Sequence, residues 1–255
     1  MPLSKAQVEA LKHNPLEIDS LLGKPKNRVA RIGVELEGAW KSLPPGTRLE
    51  PDGSVFKDPL TETKKVPAGH QAGELPIGPI QPAALPKFMK KYYPHKIDKT
   101  CGMHVHMSFE SVWHYALLMV PEYQDTIIEY LDRWARKEGF PSTHFIYERL
   151  AGKSIYCQKK FWADAQVQYT KKDHDQHRHG HRYTIIHYCG RQMTVEVRVL
   201  PMMDTVEQAI RGVRQVVDIT NACLVVLGRK KEQQERMHLE IAQNESYEEY
   251  IEEGL

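Results

Sequence analysis

An α+β fold, with an antiparallel sheet that carries helices on one face and leaves the other open, is what this sequence predicts, and three observations predict it. Three short stretches alternate apolar and chemically active residues: Ile32-Gly33-Val34-Glu35-Leu36-Glu37, Met103-His104-Val105-His106-Met107-Ser108-Phe109 and Thr194-Val195-Glu196-Val197-Arg198-Val199. Hairpin-like strands and long helical stretches follow one another in irregular order. The 255 residues, 41% of them hydrophobic, suffice for a sizeable core. Side chains alternate across a strand with period two. Glu35 and Glu37 therefore oppose Ile32, Val34 and Leu36. His104 and His106 oppose their apolar neighbours, as do Glu196 and Arg198. On one shared sheet, the non-core face would hold three carboxylates, two imidazoles and a guanidinium, a set suited to divalent metal ions and phosphate.

The elements follow in order. Residues 3–22 read as a short amphipathic helix and connector, followed by a strand over 29–37. Pro44-Pro45 punctuates a turn-rich stretch, and Asp52-Gly53-Ser54 is a tight turn. Five prolines between 59 and 82 predict only short extended pieces there, such as 73–77. Pro82 to Tyr93 reads as helix and 101–109 as strand. A helical region from Glu110 is interrupted at Pro121 and resumes to about Lys137. Glu148 to Gln158 reads as another helix, placing Arg149 and Lys153 one turn apart. Residues 159–181 are polar and hold His174, His177, His179 and His181, a composition fit for a substrate lid. Strands over 182–188 and 193–200 form a hairpin across Cys189-Gly190-Arg191. A last helix starts from the capping-box variant Asp204-x-x-Glu207, with Val206, Ala209, Ile210, Val213, Val217, Cys223 and Leu224 as its apolar stripe.

These boundaries divide the chain into an N-terminal helix and connector over 1–28, a catalytic unit over 29–228 and a helical acidic tail over 229–255. The tail's last eleven residues hold five glutamates. Formal charge is +2, from 35 basic and 33 acidic residues, so nothing global points to nucleic-acid wrapping. Four separated cysteines with no C-x-x-C read as reduced thiols. No apolar run is long enough to span a bilayer, and the start of the chain lacks a signal-peptide core. A cytoplasmic protein is the expectation. Walker-type, Rossmann-type and G-x-S-x-G motifs are absent, so a bound nucleotide would be held through metals and basic side chains.

Each pattern also has a plainer account. Glu35-x-Glu37 places two repelling carboxylates side by side, a cost that a hard divalent cation removes, or it is an ordinary exposed strand face. His104-x-His106 is a zinc-type pair without a suitably spaced cysteine or third histidine, or two solvated residues. Glu196-x-Arg198 can be a cross-strand charge pair. Together they favour a site, because each interrupts an apolar strand on the same parity.

Gly33-Val34-Glu35-Leu36-Glu37, Asp52-Gly53-Ser54, Gly73-Glu74-Leu75-Pro76-Ile77-Gly78-Pro79, Cys101-Gly102-Met103-His104-Val105-His106 and Thr194-Val195-Glu196-Val197-Arg198 occur in the order of one family. From about residue 30 to 225 the chain resembles the amidoligases, carboxylate–amine ligases related to glutamine synthetase and γ-glutamylcysteine ligase. The resemblance implies a glutamine-synthetase-like catalytic domain, whose curved antiparallel sheet binds ATP and two or three Mg²⁺ or Mn²⁺ ions on its concave face. It implies Glu35, Glu37, Glu74 and Glu196 as metal ligands. His104 would lie near a metal and the phosphates, and Arg198 would contact phosphate; both are expected in catalysis. The chain departs from the family at Pro76-Ile77-Gly78-Pro79, where a serine more often precedes proline, at His187, where asparagine is common, and in the insertion Asp173–Arg182.

The expected activity is ATP-dependent amide formation through an acyl phosphate. His106 and Lys153 join Arg198 and His104 as candidate nucleotide contacts, and Arg149, Arg191 and Asp52 are candidate substrate contacts. The carboxylate and amine partners are not specified; peptide, protein, cell-wall and modified-nucleobase acceptors fit the family. Three rivals are a guanidino-kinase-like phosphotransferase, a metal-dependent hydrolase using His104 and His106, and a metal- or nucleotide-binding module without turnover.

Overall fold

Among the described residues, period-two patterning becomes one five-stranded antiparallel sheet. The strands are β1 (Val29–Trp40), β2 (Gln71–Ile80), β3 (Gly102–Phe109), β4 (Ile186–Cys189) and β5 (Thr194–Pro201), in the order β2-β1-β3-β5-β4. The computed structural model describes residues 28–58, 60–154, 157–159, 183–189 and 194–252. Across the sheet Val34 pairs with Val105 and Val105 with Val197. Val34, Leu36, Met103, Val105, Met107, Val195 and Val197 are all fully buried. Each such side chain contributes about 1.5–3 kcal/mol through burial, which makes the apolar parity of every strand the inward one.

Among the described residues five α-helices accompany the sheet: α1 (Leu85–Tyr92), α2 (Val112–Leu117), α3 (Pro121–Lys137), α4 (Phe145–Leu150) and α5 (Val206–Glu252). Tyr123, Ile127 and Leu131 of α3 and Val213, Val216 and Val217 of α5 share one apolar cluster with the strands. Polar contacts fix the layers. The Val29 amide donates to Asn221 Oδ1 at 2.7 Å, Trp40 Nε1 donates to the Tyr92 carbonyl at 2.9 Å, and the Tyr123 and Thr220 hydroxyls lie 2.8 Å apart. The architecture is therefore α+β, as expected. Among the described residues no helix is long and apolar enough to cross a membrane.

Several boundaries differ from the sequence reading, each for a physical reason. The proline-rich stretch supplies a ten-residue strand, not short pieces. Glu74 turns its backbone outward to exchange hydrogen bonds with Glu50 (2.8 and 3.0 Å). Two residues on, Pro76 faces the same outer edge, where its missing N–H is not needed for the ladder to β1. The helix expected over 148–158 instead spans 145–150. It stops in a Schellman motif: Gly152 has φ +67°, its amide donates to the Arg149 carbonyl at 2.9 Å, and the Lys153 amide donates to Glu148 at 3.1 Å.

The last helix starts one residue later than its expected box. Thr205 and Gln208 cap reciprocally, the Gln208 amide donating to Thr205 Oγ1 and the Thr205 amide to Gln208 Oε1, both at 3.2 Å. That helix is continuous through the expected 228/229 boundary. The N-terminal helix over 3–22, Arg191 and the His174–His181 run lie outside the described residues.

Candidate metal and phosphate site

Strand register brings the polar parities together. Glu37 lies opposite Glu74 across β1 and β2, Glu35 opposite His104 across β1 and β3, and His106 opposite Glu196 across β3 and β5. His187 of β4 pairs with Glu196 from the other side. Glu37, His104 and Glu196 are buried, whereas the Glu35 side chain keeps 25% of its surface exposed. The cluster is thus a floor of buried donors with Glu35 and Glu74 its partly exposed carboxylates.

His104 is the hub. Its Nδ1 lies 3.1 Å from Glu35 Oε2 and 3.4 Å from Glu196 Oε1, and its Nε2 lies 3.5 Å from Glu37 Oε1. His106 Nε2 lies 2.9 Å from Glu35 Oε1 and 3.8 Å from Glu196 Oε1. Arg198 Nη1 donates to Glu196 Oε1, while its buried Nε has no hydrogen-bond partner among the described residues. The Gly102 amide donates to Glu37 Oε2.

Crowded carboxylates cannot all carry charge at low dielectric. Glu74 is pushed up to about 9, by burial first and then by the Glu35 and Glu37 charges, and it shares a hydrogen bond with Glu35. Burial also works against the Glu35 charge, but hydrogen bonds from His104 and His106 outweigh it and hold that carboxyl below its ordinary range. Burial likewise opposes a charge on His106, yet Glu196, Cys189 and Glu35 push it up to about 11. For Glu196, burial is overcome by Arg198 and His106, which draw it down.

The other candidates divide. Arg149 is buried, and its Nη1 donates to the Arg198 carbonyl at 3.2 Å. A Cβ on Gly102 would meet Arg149 Nη1 at 2.9 Å and His104 Nε2 at 3.1 Å, so this guanidinium stands on the site floor and only glycine leaves it room. Asp52 caps its own turn, accepting from the Ser54 amide and hydroxyl, each at 2.5 Å. Its charge is among those that raise Glu74, because the 49–57 loop is paired along β2 at Glu50. Lys153 is exposed beyond the end of α4, not on a helix face with Arg149. Two residues outside the expected set, Cys189 and His187, also border Glu196. A thiol does stand beside His106, contrary to the sequence reading, because β4 folds back on β5 and sets Cys189 Sγ 3.9 Å from Glu196 Oε2. The available signal was His187-x-Cys189, a same-parity pair in the partner strand of Glu196.

Among the described residues three donor sets have ligand atoms within 4.8 Å of one another: Glu35, His104 and Glu196; Glu37, Glu74 and His104; His106, Cys189 and Glu196. The first two, rich in carboxylate oxygen, fit hard divalent cations, and the proton held on Glu74 is the kind of charge compensation that a cation replaces. Fold and site together define an α+β protein with a cluster of candidate metal donors on the polar face of an antiparallel sheet. Comparison with family models, curated proteins and solved structures finds no match for this chain.

Proposed function

We propose that the chain is an ATP-dependent carboxylate–amine ligase of the amidoligase type, with a glutamine-synthetase-like catalytic domain that uses Mg²⁺ or Mn²⁺. The observation that carries this reading is the pair of oxygen-rich donor sets that share His104 on one sheet face, with Arg198 at their border. One ion would be held by Glu35, His104 and Glu196, and another by the Glu37 and Glu74 carboxylates, because a neutral imidazole offers a lone pair on only one nitrogen. Bound there, the ions supply Lewis acidity and screen the mutual repulsion of triphosphate and carboxylate.

The chain's own groups supply the remainder. Arg198 presents a cation where charge develops on the transferred phosphoryl group, and Arg149 adds a second positive charge at the floor. Attack of the substrate carboxylate on the γ-phosphorus releases ADP and forms an acyl phosphate. Attack of the amine on its carbonyl then releases phosphate and leaves the amide. Candidate acceptors are a peptide, a protein, a cell-wall component or a modified nucleobase.

The test is ADP and phosphate release with a panel of carboxylates and amines. Turnover that requires both substrates, and falls at least a hundredfold in Glu35→Ala, is expected. A stable phosphorylated product without amide would indicate a phosphotransferase. Cleavage without ATP would indicate a hydrolase, and ligand binding without turnover a binding module; each of these outcomes sinks the ligase.

A further inference from the structure

We infer that the third donor set, His106, Cys189 and Glu196, is a separate binding position for a borderline transition-metal ion of the Zn²⁺ class, distinct in chemistry from the two oxygen-rich sets beside it. It shares Glu196 with the proposed ligase site but does not depend on ligase activity. Three strands build it. β3 supplies His106, β5 supplies Glu196 directly opposite, and β4 supplies Cys189 two residues from His187, which also pairs with Glu196. One imidazole nitrogen, one thiol sulfur and one carboxylate oxygen converge within 4.8 Å.

The spacing suits four-coordinate binding. Bonds of about 2.3 Å to sulfur and about 2.0–2.2 Å to nitrogen and oxygen separate neighbouring ligand atoms on a tetrahedron by about 3.5 Å. The His106 Nε2 to Glu196 Oε1 and Cys189 Sγ to Glu196 Oε2 distances are 3.8 and 3.9 Å, to the two oxygens of one carboxylate; with all three donors within 4.8 Å of one another, side-chain movements of about 1 Å would close the site. Thiolate sulfur is a poor ligand for Mg²⁺ and a good one for zinc-class ions. Cys189 is 4% and Glu196 3% exposed, which shields the sulfur from competing water. Behind them His187 is 8% exposed, with its Nδ1 buried and free of any hydrogen bond among the described residues.

Co²⁺ is the probe, titrated into the full metal-free chain without ATP or substrates, so the readout is independent of ligation. The expected result is thiolate-to-cobalt charge-transfer absorption in the near ultraviolet that saturates with a single ion, whatever further Co²⁺ the oxygen-rich sets take up. Cys189→Ser should abolish that band and weaken Co²⁺ and Zn²⁺ binding at least tenfold, while Glu37→Ala should retain the band. X-ray absorption on the Zn²⁺-loaded wild-type chain, which needs no variant, should find one sulfur neighbour at about 2.3 Å. A zinc shell of nitrogen and oxygen alone, or a cobalt spectrum unchanged by Cys189→Ser, would overturn the assignment. Loss of ligase turnover with the cobalt band intact would count against the proposed function and leave this metal position standing.

Discussion

Glu74 and Glu196 sit in one cluster yet answer different electrostatic demands. Glu74 holds a proton because burial and two neighbouring carboxylates disfavour its charge. In the metal-free chain Glu74→Gln, which mimics the protonated acid, should leave the urea midpoint nearly unchanged. The same change should weaken Mn²⁺ binding at least tenfold by calorimetry, because the ion needs the carboxylate; equal binding by both proteins would exclude Glu74 as a ligand. Glu196 instead compensates Arg198 and His106 at a buried position. Its removal strands those cations, so Glu196→Ala should destabilise the chain by about 3–5 kcal/mol, and a urea-derived loss below about 1 kcal/mol would contradict the pairing. Most of this cluster was legible in the sequence, because period two survives whatever partner a strand finds. Glu35, Glu37, His104, His106, Glu196 and Arg198 share a face for that reason alone. Cross-strand register is not a local property, so the meeting of Cys189 with His106, and of Arg149 with Gly102, was not legible.

At the scale of elements, short helix α4 carries Arg149 to the site and depends on its ends. His144 caps it, Nδ1 accepting from the Ile146 amide at 3.3 Å while the ring stacks on Phe140 at 4.3 Å between centroids. Burial lowers the His144 pKa, opposed by the charge of Asp204. The neutral ring is the capping form, so its contribution is present above the ordinary histidine pKa of about 6.5 and is lost as pH falls through the lowered folded value. Acidification across that range should cost about 1 kcal/mol, the worth of an N-cap. His144→Asn, which keeps an acceptor that does not titrate, should flatten this part of the stability–pH curve. An undiminished pH dependence in that variant would place the titration elsewhere. Strand positions were read closely, because alternation persists along each strand. Ends were read less well. Gly152 stops α4 through a left-handed residue, and Thr205 outcompetes Asp204 as cap; both depend on backbone geometry that composition only suggests. The length of β2, expected only over 73–77, reaches Gln71–Ile80 because proline is tolerated at an edge, and edge status belongs to the sheet order.

For the whole molecule, one face of a five-stranded sheet buries the core and the other assembles the donors. The chemistry and the stability of the fold therefore share β1, β3 and β5. Helix α5, 47 residues and about 70 Å long, packs its first turns on that core, so the cluster is held by the most buried part of the protein. Anomalous diffraction from crystals of the chain soaked with Mn²⁺ and a non-hydrolysable ATP analogue is the most direct measurement. Two manganese peaks are expected, one among Glu35, His104 and Glu196 and one between Glu37 and Glu74, with the analogue's phosphates beside Arg198. Manganese absent from both positions, or nucleotide bound away from this face, would contradict the metal–phosphate site.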